Sequence, residues 1–278
     1  MNYLKVKDHA VSQENFELQH DSKYDLLKTL PIPENLEQYY QSEDYISHTD
    51  SKRSLFEKIY QLVKQYTLSQ KQYLILSYTK RKGKLLDIGT GTGDFLAFAK
   101  TKNWEIMGIE PSQKAQELAR KKGVPFVDDS QKLSDNSFDV ITMWHVLEHV
   151  RDLDQQLSEL KRICKPGGYV IIAVPNFKSY DAKYFKEFWA AYDVPRHLWH
   201  FSKTAITKLF AQKEMKLQKV HPMYFDSFYV SLLSEKYKKG KMNFVRAFWI
   251  GLLSNLKGMS SKEFSSHIYV LKNTKKAI

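Results

Sequence analysis

The stretch Leu85-Leu86-Asp87-Ile88-Gly89-Thr90-Gly91-Thr92-Gly93-Asp94-Phe95 decides the fold. A short apolar run ends in an acid, breaks on alternating glycines and passes into GDFLAFAKTK, whose apolar spacing predicts a helix. Glycine at such a turn lets the backbone approach a ligand closely and take positive φ. A dinucleotide fingerprint would read G-x-G-x-x-G and seat a pyrophosphate on the helix N-terminus. Here Asp94 stands at the third glycine position and would repel a pyrophosphate. The turn is therefore expected to face a ligand that carries a cation.

Downstream of the turn, WEIMGIE, PSQKAQELARKKG, VPFVDD, SFDVITMW, LDQQLSELKRICKPGG and YVIIAVPN alternate short apolar runs with helical segments. That alternation predicts βαβ units and a mostly parallel sheet covered on both faces, with the ligand outside the carboxyl ends of the strands. Upstream, residues 1–50 read as a β-rich arm or lid, with a hairpin at HAVSQENFELQH and a Pro-bounded turn at YDLLKTLPIP. Residues 51–80 read as one or two lead-in helices, capped by Ser51 or Ser54. Beyond the sheet, FSKTAITKLFAQKEM predicts a helix capped by Ser202, then a strand. Residues 226–260 predict two aromatic-rich amphipathic helices before the closing strand SSHIYVLKN.

The chain has 278 residues, enough for a large core without disulfides, and its one cysteine, Cys164, can form no internal bridge. A lone thiol, no apolar leader in MNYLKVKDHAV and no run long enough to span a bilayer lead us to expect a cytoplasmic protein. The net charge of +12 is uneven: residues 202–278 hold 15 basic and 4 acidic side chains. A basic face of this kind suits nucleic acid, an anionic membrane, an anionic substrate or plain solvent.

The glycine turn, and the landmarks that follow it in order, resemble the class I S-adenosylmethionine (SAM) dependent methyltransferases over roughly residues 80–220. Within that group the chain is similar to the type 11 and type 23 methyltransferases and to the ubiquinone-biosynthesis O-methyltransferases. The resemblance implies an α/β, Rossmann-like, seven-stranded and mostly parallel sheet of order 3-2-1-4-5-7-6 with the last strand antiparallel, and a methyltransferase domain over residues 81–278. It implies SAM as cofactor and S-adenosylhomocysteine as product. Asp87, Gly89, Thr90, Gly91 and Gly93 would hold the methionine end, Glu110 and Pro111 the ribose, and Asp129 with Ser130 the adenine. Trp144 and His145 would line the cleft, with Tyr40 and His48 of the arm closing on it. Residues 6–33 resemble a zinc ribbon in length and strand pattern but carry no cysteine, which implies a degenerate, metal-free arm.

His145-Val146-Leu147-Glu148-His149 matches the inverted zinc-protease pattern H-x-x-E-H, but its place at a strand end fits the methyltransferase motif instead. The ubiquinone-type enzymes carry E-x-x-E-H there and are thought to hold a divalent ion. His145 replaces the first glutamate and removes a hard oxygen ligand, so no metal is expected. The stretch from Trp189 to Ser202 resembles the W-x-x-x-D-x-P-R-H-L-x-H-F-S segment of small-molecule and lipid-type members. It nominates Trp189, Tyr192, Asp193 and Arg196 as acceptor contacts, and His197 or His200 as the base. The absence of N-P-P-Y at the fourth strand end speaks against methylation of adenine or amide nitrogen.

The expected activity is methyl transfer to an O, N or C nucleophile of a small, apolar or lipid-like acceptor. The rivals are an RNA or protein methyltransferase using the basic C-terminal region, and a SAM-binding protein without turnover. Nucleic acid is the less favoured partner. The helical insertion would wall an apolar acceptor pocket, touch an anionic membrane, or pack on the sheet edge or a second copy, leaving either a monomer or a homodimer.

Overall fold

A computed structural model describes residues 1–40 and 55–274 of the chain. In chain order its elements are β1 (Asn2–Lys7), β2 (Asn15–Asp21), β3 (Leu26–Leu30), α1 (Leu55–Thr79), β4 (Lys84–Ile88), α2 (Asp94–Thr101), β5 (Glu105–Ile109) and α3 (Gln113–Lys121). They continue with β6 (Phe138–Trp144), α4 (Leu153–Ile163), β7 (Cys164–Pro175), α5 (Tyr180–Phe185), β8 (Trp199–His200) and α6 (Lys203–Ala211). β9 (Met215–Pro222), α7 (Asp226–Lys239), α8 (Phe244–Ser261) and β10 (Ser266–Asn273) complete the described chain.

Among the described residues the main sheet has six strands in the order β5-β4-β6-β7-β10-β9. β5, β4, β6 and β7 run parallel, and β10 lies antiparallel between β7 and β9. The strand expected at VPFVDD shrinks to one parallel bridge, Gly108 to Phe126, so six strands replace the seven expected. Pro125 lies inside that run and has no N–H to extend the ladder. The rest of the expected order is present.

Neighbours in register alternate between the faces, as period-2 strands must. Leu85, Val140, Ile171 and Val270 pack with Ile75 of α1, Leu96 of α2 and Ala119 of α3. Leu86, Ile141, Val170 and Leu271 pack with Leu157 of α4 and Ile206 of α6. Caps fix where the helices begin: Asp152 accepts from the amide of Gln155 ahead of α4, and Ser202 from Ala205 ahead of α6. Ser51 and Ser54 lie outside the described residues.

The N-terminal strands form a second, antiparallel sheet in the order β1-β2-β3-β8. The segment read as a Pro-bounded turn is thus a strand, β3, paired with β2 on one side and with β8 on the other. A third core joins this sheet to the insertion, with Phe16, Leu18 and Leu27 against Phe185, Trp189, Tyr192, Val230 and Ile250. At its centre the buried carboxylate of Asp181 accepts from Trp189 Nε1 at 2.8 Å, Ser254 Oγ at 2.6 Å and Ser265 Oγ at 2.7 Å. Asp181→Ala strands three buried donors, so urea denaturation is expected to show a loss of about 3 kcal/mol. A loss under about 1 kcal/mol would show that the network does not carry this core.

Candidate active site

The carboxyl ends of β4, β5, β6 and β7 share one edge, and the glycine turn opens there. Gly89, Gly91 and Gly93 have φ of +73°, +57° and +79°. A Cβ on Gly89 would lie 2.3 Å from Val146 Cγ2 and one on Gly93 2.5 Å from Ala119 Cβ, whereas one on Gly91 would meet nothing within 4 Å. The outer two glycines serve packing, and the middle one presents bare backbone to open space. Asp87 at the strand end is buried and accepts from Thr142 Oγ1 at 2.5 Å. Burial pushes it up to about 7, against that hydrogen bond and the charge of Lys71 on α1. Thr90 Oγ1 donates to the carbonyl of Asp87. Asp94 is held by Lys64 at 2.8 Å and Lys122 at 2.9 Å. Its charge is countered by these two lysines.

Glu110, at the end of β5, accepts from the amide of Gly91 at 2.8 Å through one oxygen and from that of Ser112 at 2.9 Å through the other. A carboxylate has about four acceptor positions, so each oxygen keeps one for a diol. Pro111 links it to the Ser112 cap of α3. Asp129 is exposed and caps the single turn Ser130–Lys132, with its carboxylate on the amide of Gln131. The Ser130 hydroxyl bonds Glu159.

At the end of β6, Trp144 has its buried Nε1 without a partner among the described residues, and Lys71 Nζ lies 4.1 Å from its ring centre. Burial lowers Lys71 to about 8 despite Asp87 and Asp226 nearby. His145 follows with φ +56°. Its Nδ1 lies 3.2 Å from Glu148 Oε1 and its Nε2 3.1 Å from Asp226 Oδ2 at the start of α7. Burial opposes charging the ring, yet the two carboxylates raise it to about 10. Glu148, buried and with Oε2 unpartnered, is held below the usual carboxylate range by His145, which outweighs its burial.

Glu148, His149 and His197 bring their ligand-capable atoms within 4.8 Å of one another. His149 Nδ1 lies 3.1 Å from the Arg196 carbonyl and 3.0 Å from Tyr40 Oη. Burial and the charge of His197 lower His149 to about 4, which keeps it neutral. His197 Nδ1 lies 2.9 Å from the Ala191 carbonyl, which can only accept, so Nδ1 carries a hydrogen there. His48 lies outside the described residues.

The segment from Trp189 to Ser202 closes over this trio, and most of it is committed to structure. Trp189 and Tyr192 are core residues, 2 % and 1 % exposed, and not acceptor contacts. Asp193 and Arg196 form an ion pair, and Arg196 Nη1 also donates to the Tyr39 carbonyl at 2.8 Å. His200 is buried, its Nε2 2.9 Å from Thr29 Oγ1, whose own hydrogen goes to the His197 carbonyl. Burial lowers it to about 3. It fastens β8 to β3. The depression lined by Arg81, Lys82, Asp139, Lys165 and Tyr169 opens at the opposite, amino end of the strands, where Lys165 already pairs with Asp139.

A family model described as a methyltransferase domain matches residues 60–220. The chain belongs to this methyltransferase family. The demethylmenaquinone methyltransferase of Chlorobaculum parvum is 30% identical over 173 residues, 53% of this chain and 72% of that one. The Staphylococcus aureus protein of the same name is 36% identical over 124 residues, 38% and 52% of the two chains. Across such relatives the chain spans between 41% and 72% of their length. The structure is similar to geranyl diphosphate C-methyltransferase from Streptomyces coelicolor in complex with Mg2+, geranyl diphosphate and S-adenosylhomocysteine, with TM-score 0.54 and 13% identity over 81% of this chain and 87% of that one. It is also similar to Haemonchus contortus phosphoethanolamine N-methyltransferase 2 in complex with SAM, with TM-score 0.52 and 19% identity over 74% and 53%. At these identities the likeness is one of fold.

The chain shares its family with methyltransferases and its fold with structures that hold SAM or S-adenosylhomocysteine. Its residues fit that cofactor: open backbone at Gly91, spare lone pairs on Glu110, and the buried acid Asp87. Magnesium held as E-x-x-E-H does not fit, because His145 is drawn into a clasp between two acids. The trio beside it offers one oxygen and two nitrogens, a set suited to zinc-like ions more than to magnesium. The sequence reading missed Lys71 and Asp226, which enter from the lead-in helix and the insertion with no motif to announce them.

The His145 clasp has a pH signature. The ring's folded value of about 10 lies above the unfolded value of about 6.5, so its stabilisation is full below pH 6.5 and is lost as pH rises toward 10. The stability difference between the wild type and His145→Gln, from denaturant titrations across that window, is expected to shrink with rising pH. A difference flat in pH would show that the ring is not held as a cation.

Proposed function

We propose that the protein transfers a methyl group from SAM to a nucleophile of a small, apolar acceptor such as a lipophilic phenol or quinol. The observation that carries the cofactor half is Glu110, fixed by two backbone amides with an acceptor position spare on each oxygen. Bound there, the cofactor supplies a sulfonium methyl group that is already strongly electrophilic. The chain's own task is then alignment, charge balance and removal of the acceptor's proton.

Glu110 takes the ribose hydroxyls and Gly91 lets the backbone approach the methionine end. Asp129 and Ser130 border the adenine. Asp87 is the anion nearest the cationic centre; its raised value means that a bound cation also favours its ionisation. His197 is the proton acceptor in this reading, with Nδ1 pinned to Ala191 and Nε2 facing Asp193 at 3.7 Å. The apolar acceptor is supported by the name of the demethylmenaquinone relatives, whose substrate is a quinone derivative. No step runs through a metal, so prior treatment with EDTA is expected to leave the rate unchanged; a loss restored by zinc would place an ion on Glu148, His149 and His197.

Calorimetry with SAM and S-adenosylhomocysteine is expected to give micromolar-range binding that Glu110→Ala weakens by about tenfold or more, as loss of charged hydrogen bonds to a diol should. NADH should not bind. Binding indifferent to Glu110 would overturn the ribose assignment. His197→Asn is expected to leave SAM affinity intact while lowering kcat with a lipophilic phenol by about a hundredfold or more. An unchanged kcat would remove His197 as the base.

A further inference from the structure

α8 is built inside out. Its inner face carries Ala247, Gly251, Ser254, Asn255 and Gly258, small or polar residues, with Ile250 the one large apolar side chain buried among them. A Cβ on Gly251 would come within 2.7 Å of Phe228 on α7, so the two helices pack almost backbone to backbone. The large apolar side chains point away from the protein. Phe244 is 67% exposed, Val245 71%, Trp249 56% and Met259 57%, with Phe248, Leu253 and Leu256 on the same face. A helix placed only to complete a core would do the reverse.

Phe248 stacks on Phe228 at 5.6 Å, and exposed Tyr66 of α1 meets exposed Phe225 edge-on at 6.2 Å. The exposed aromatic surface therefore runs from α8 past the start of α7 to α1. Charge surrounds it with one sign. Residues 226–262 hold seven basic side chains, Lys236, Lys238, Lys239, Lys241, Arg246, Lys257 and Lys262, and two acids. Both acids turn inward: Asp226 to His145, and Glu235, 1% exposed, to Arg246.

We propose that this face docks on an anionic lipid bilayer, with the apolar ridge of α8 lying in the headgroup region and the lysines on its phosphates. An amphipathic helix with Trp, Phe and Leu on one side and a cationic surround has the composition of an interfacial anchor. No helix among the described residues is long and apolar enough to cross a membrane, so the mode is lying on, not spanning. A second copy of the chain is the poorer occupant, because a symmetric contact would set two lysine rims against each other. Docking rests on this surface alone. Its use rests on the function proposed above: α7 begins at Asp226, on the clasp at the active edge, so an apolar acceptor would pass from bilayer to site without crossing water.

The test is flotation of the full-length protein with vesicles of phosphatidylcholine containing about 30% phosphatidylglycerol, beside vesicles of phosphatidylcholine alone. The wild type is expected to float with the anionic vesicles and to be released by salt. Phe248→Ser with Trp249→Ser should cut the bound fraction about tenfold, and Lys238, Lys239 and Lys241 all to Gln should abolish the anionic preference. SAM affinity should be unchanged in both variants, which separates failure of this proposal from failure of the cofactor site. Absence of flotation, or flotation indifferent to both variants, would overturn the proposal. So would light scattering that shows a dimer converted to monomer by the Phe248 and Trp249 changes while vesicles remain unbound.

Discussion

The active edge depends on one imidazole. His145 leaves β6 in the left-handed region, where a side chain with a Cβ is normally strained. Two carboxylates hold it there, one three residues on and the other from the helical insertion. The reversal carries Val146 against the glycine turn, where it fills the space that Gly89 leaves. It also sets Glu148, whose carbonyl accepts from the amide of Leu198 at 2.8 Å. Glycine turn, strand end, histidine-rich segment and insertion are thus registered on one side chain.

The second sheet explains why so many polar residues near the edge are not free to react. β3 and β8 share only a short ladder, so their junction needs other fastenings. Thr29 supplies one by donating to the His197 carbonyl and meeting His200, and Arg196 another by holding Asp193 and the Tyr39 carbonyl. Tyr40 on His149 extends the contact. Buried polar groups of this kind must be paired or they destabilise the fold. Asp193 and Arg196, nominated as acceptor contacts, and His200, nominated as a base, are each held in hydrogen bonds that fasten this segment. Among the described residues Glu148 Oε2 has no hydrogen-bond partner, and His197 Nε2 lies 3.7 Å from Asp193.

Much of the fold was legible because parallel strands declare themselves locally. Leu85-Leu86 and Val140-Ile141 are apolar pairs buried on both faces of the sheet, and Gly89 to Gly93 mark a turn that only glycine packs at its outer positions. Glu110 was visible for the same reason, since it stands at the end of a strand. The lost third strand also has a local cause in Pro125, which the pattern of apolar residues concealed. β3 pairs with β2 close by in the chain and with β8 about 170 residues away, and no local period reports the second pairing. Lys71 and Asp226 were invisible as site residues for the same reason. Each is an ordinary charge on a helix until the fold brings it to Asp87 or His145.

The insertion shows where hydrophobic pattern alone fails. The sequence places amphipathic helices over residues 226–260, and an aromatic stripe at helical spacing is ordinarily core. In α8, though, both faces are uncharged apart from Arg246, Lys257 and Lys262, so periodicity cannot say which face turns inward. Packing volume can. The inner face admits small residues and no more, because Gly251 meets Phe228 of α7 and Gly258 meets Phe264, just beyond the end of α8, at contact distance. Tight helix contact on the small face leaves Phe244, Phe248 and Trp249 with nowhere to go but outward. The aromatic residues expected to wall an acceptor pocket are displaced to the surface by the glycines on the other side of the same helix. The apolar surface left bare beside the active edge is then a consequence of the fold's own packing, and it needs an apolar phase to cover it.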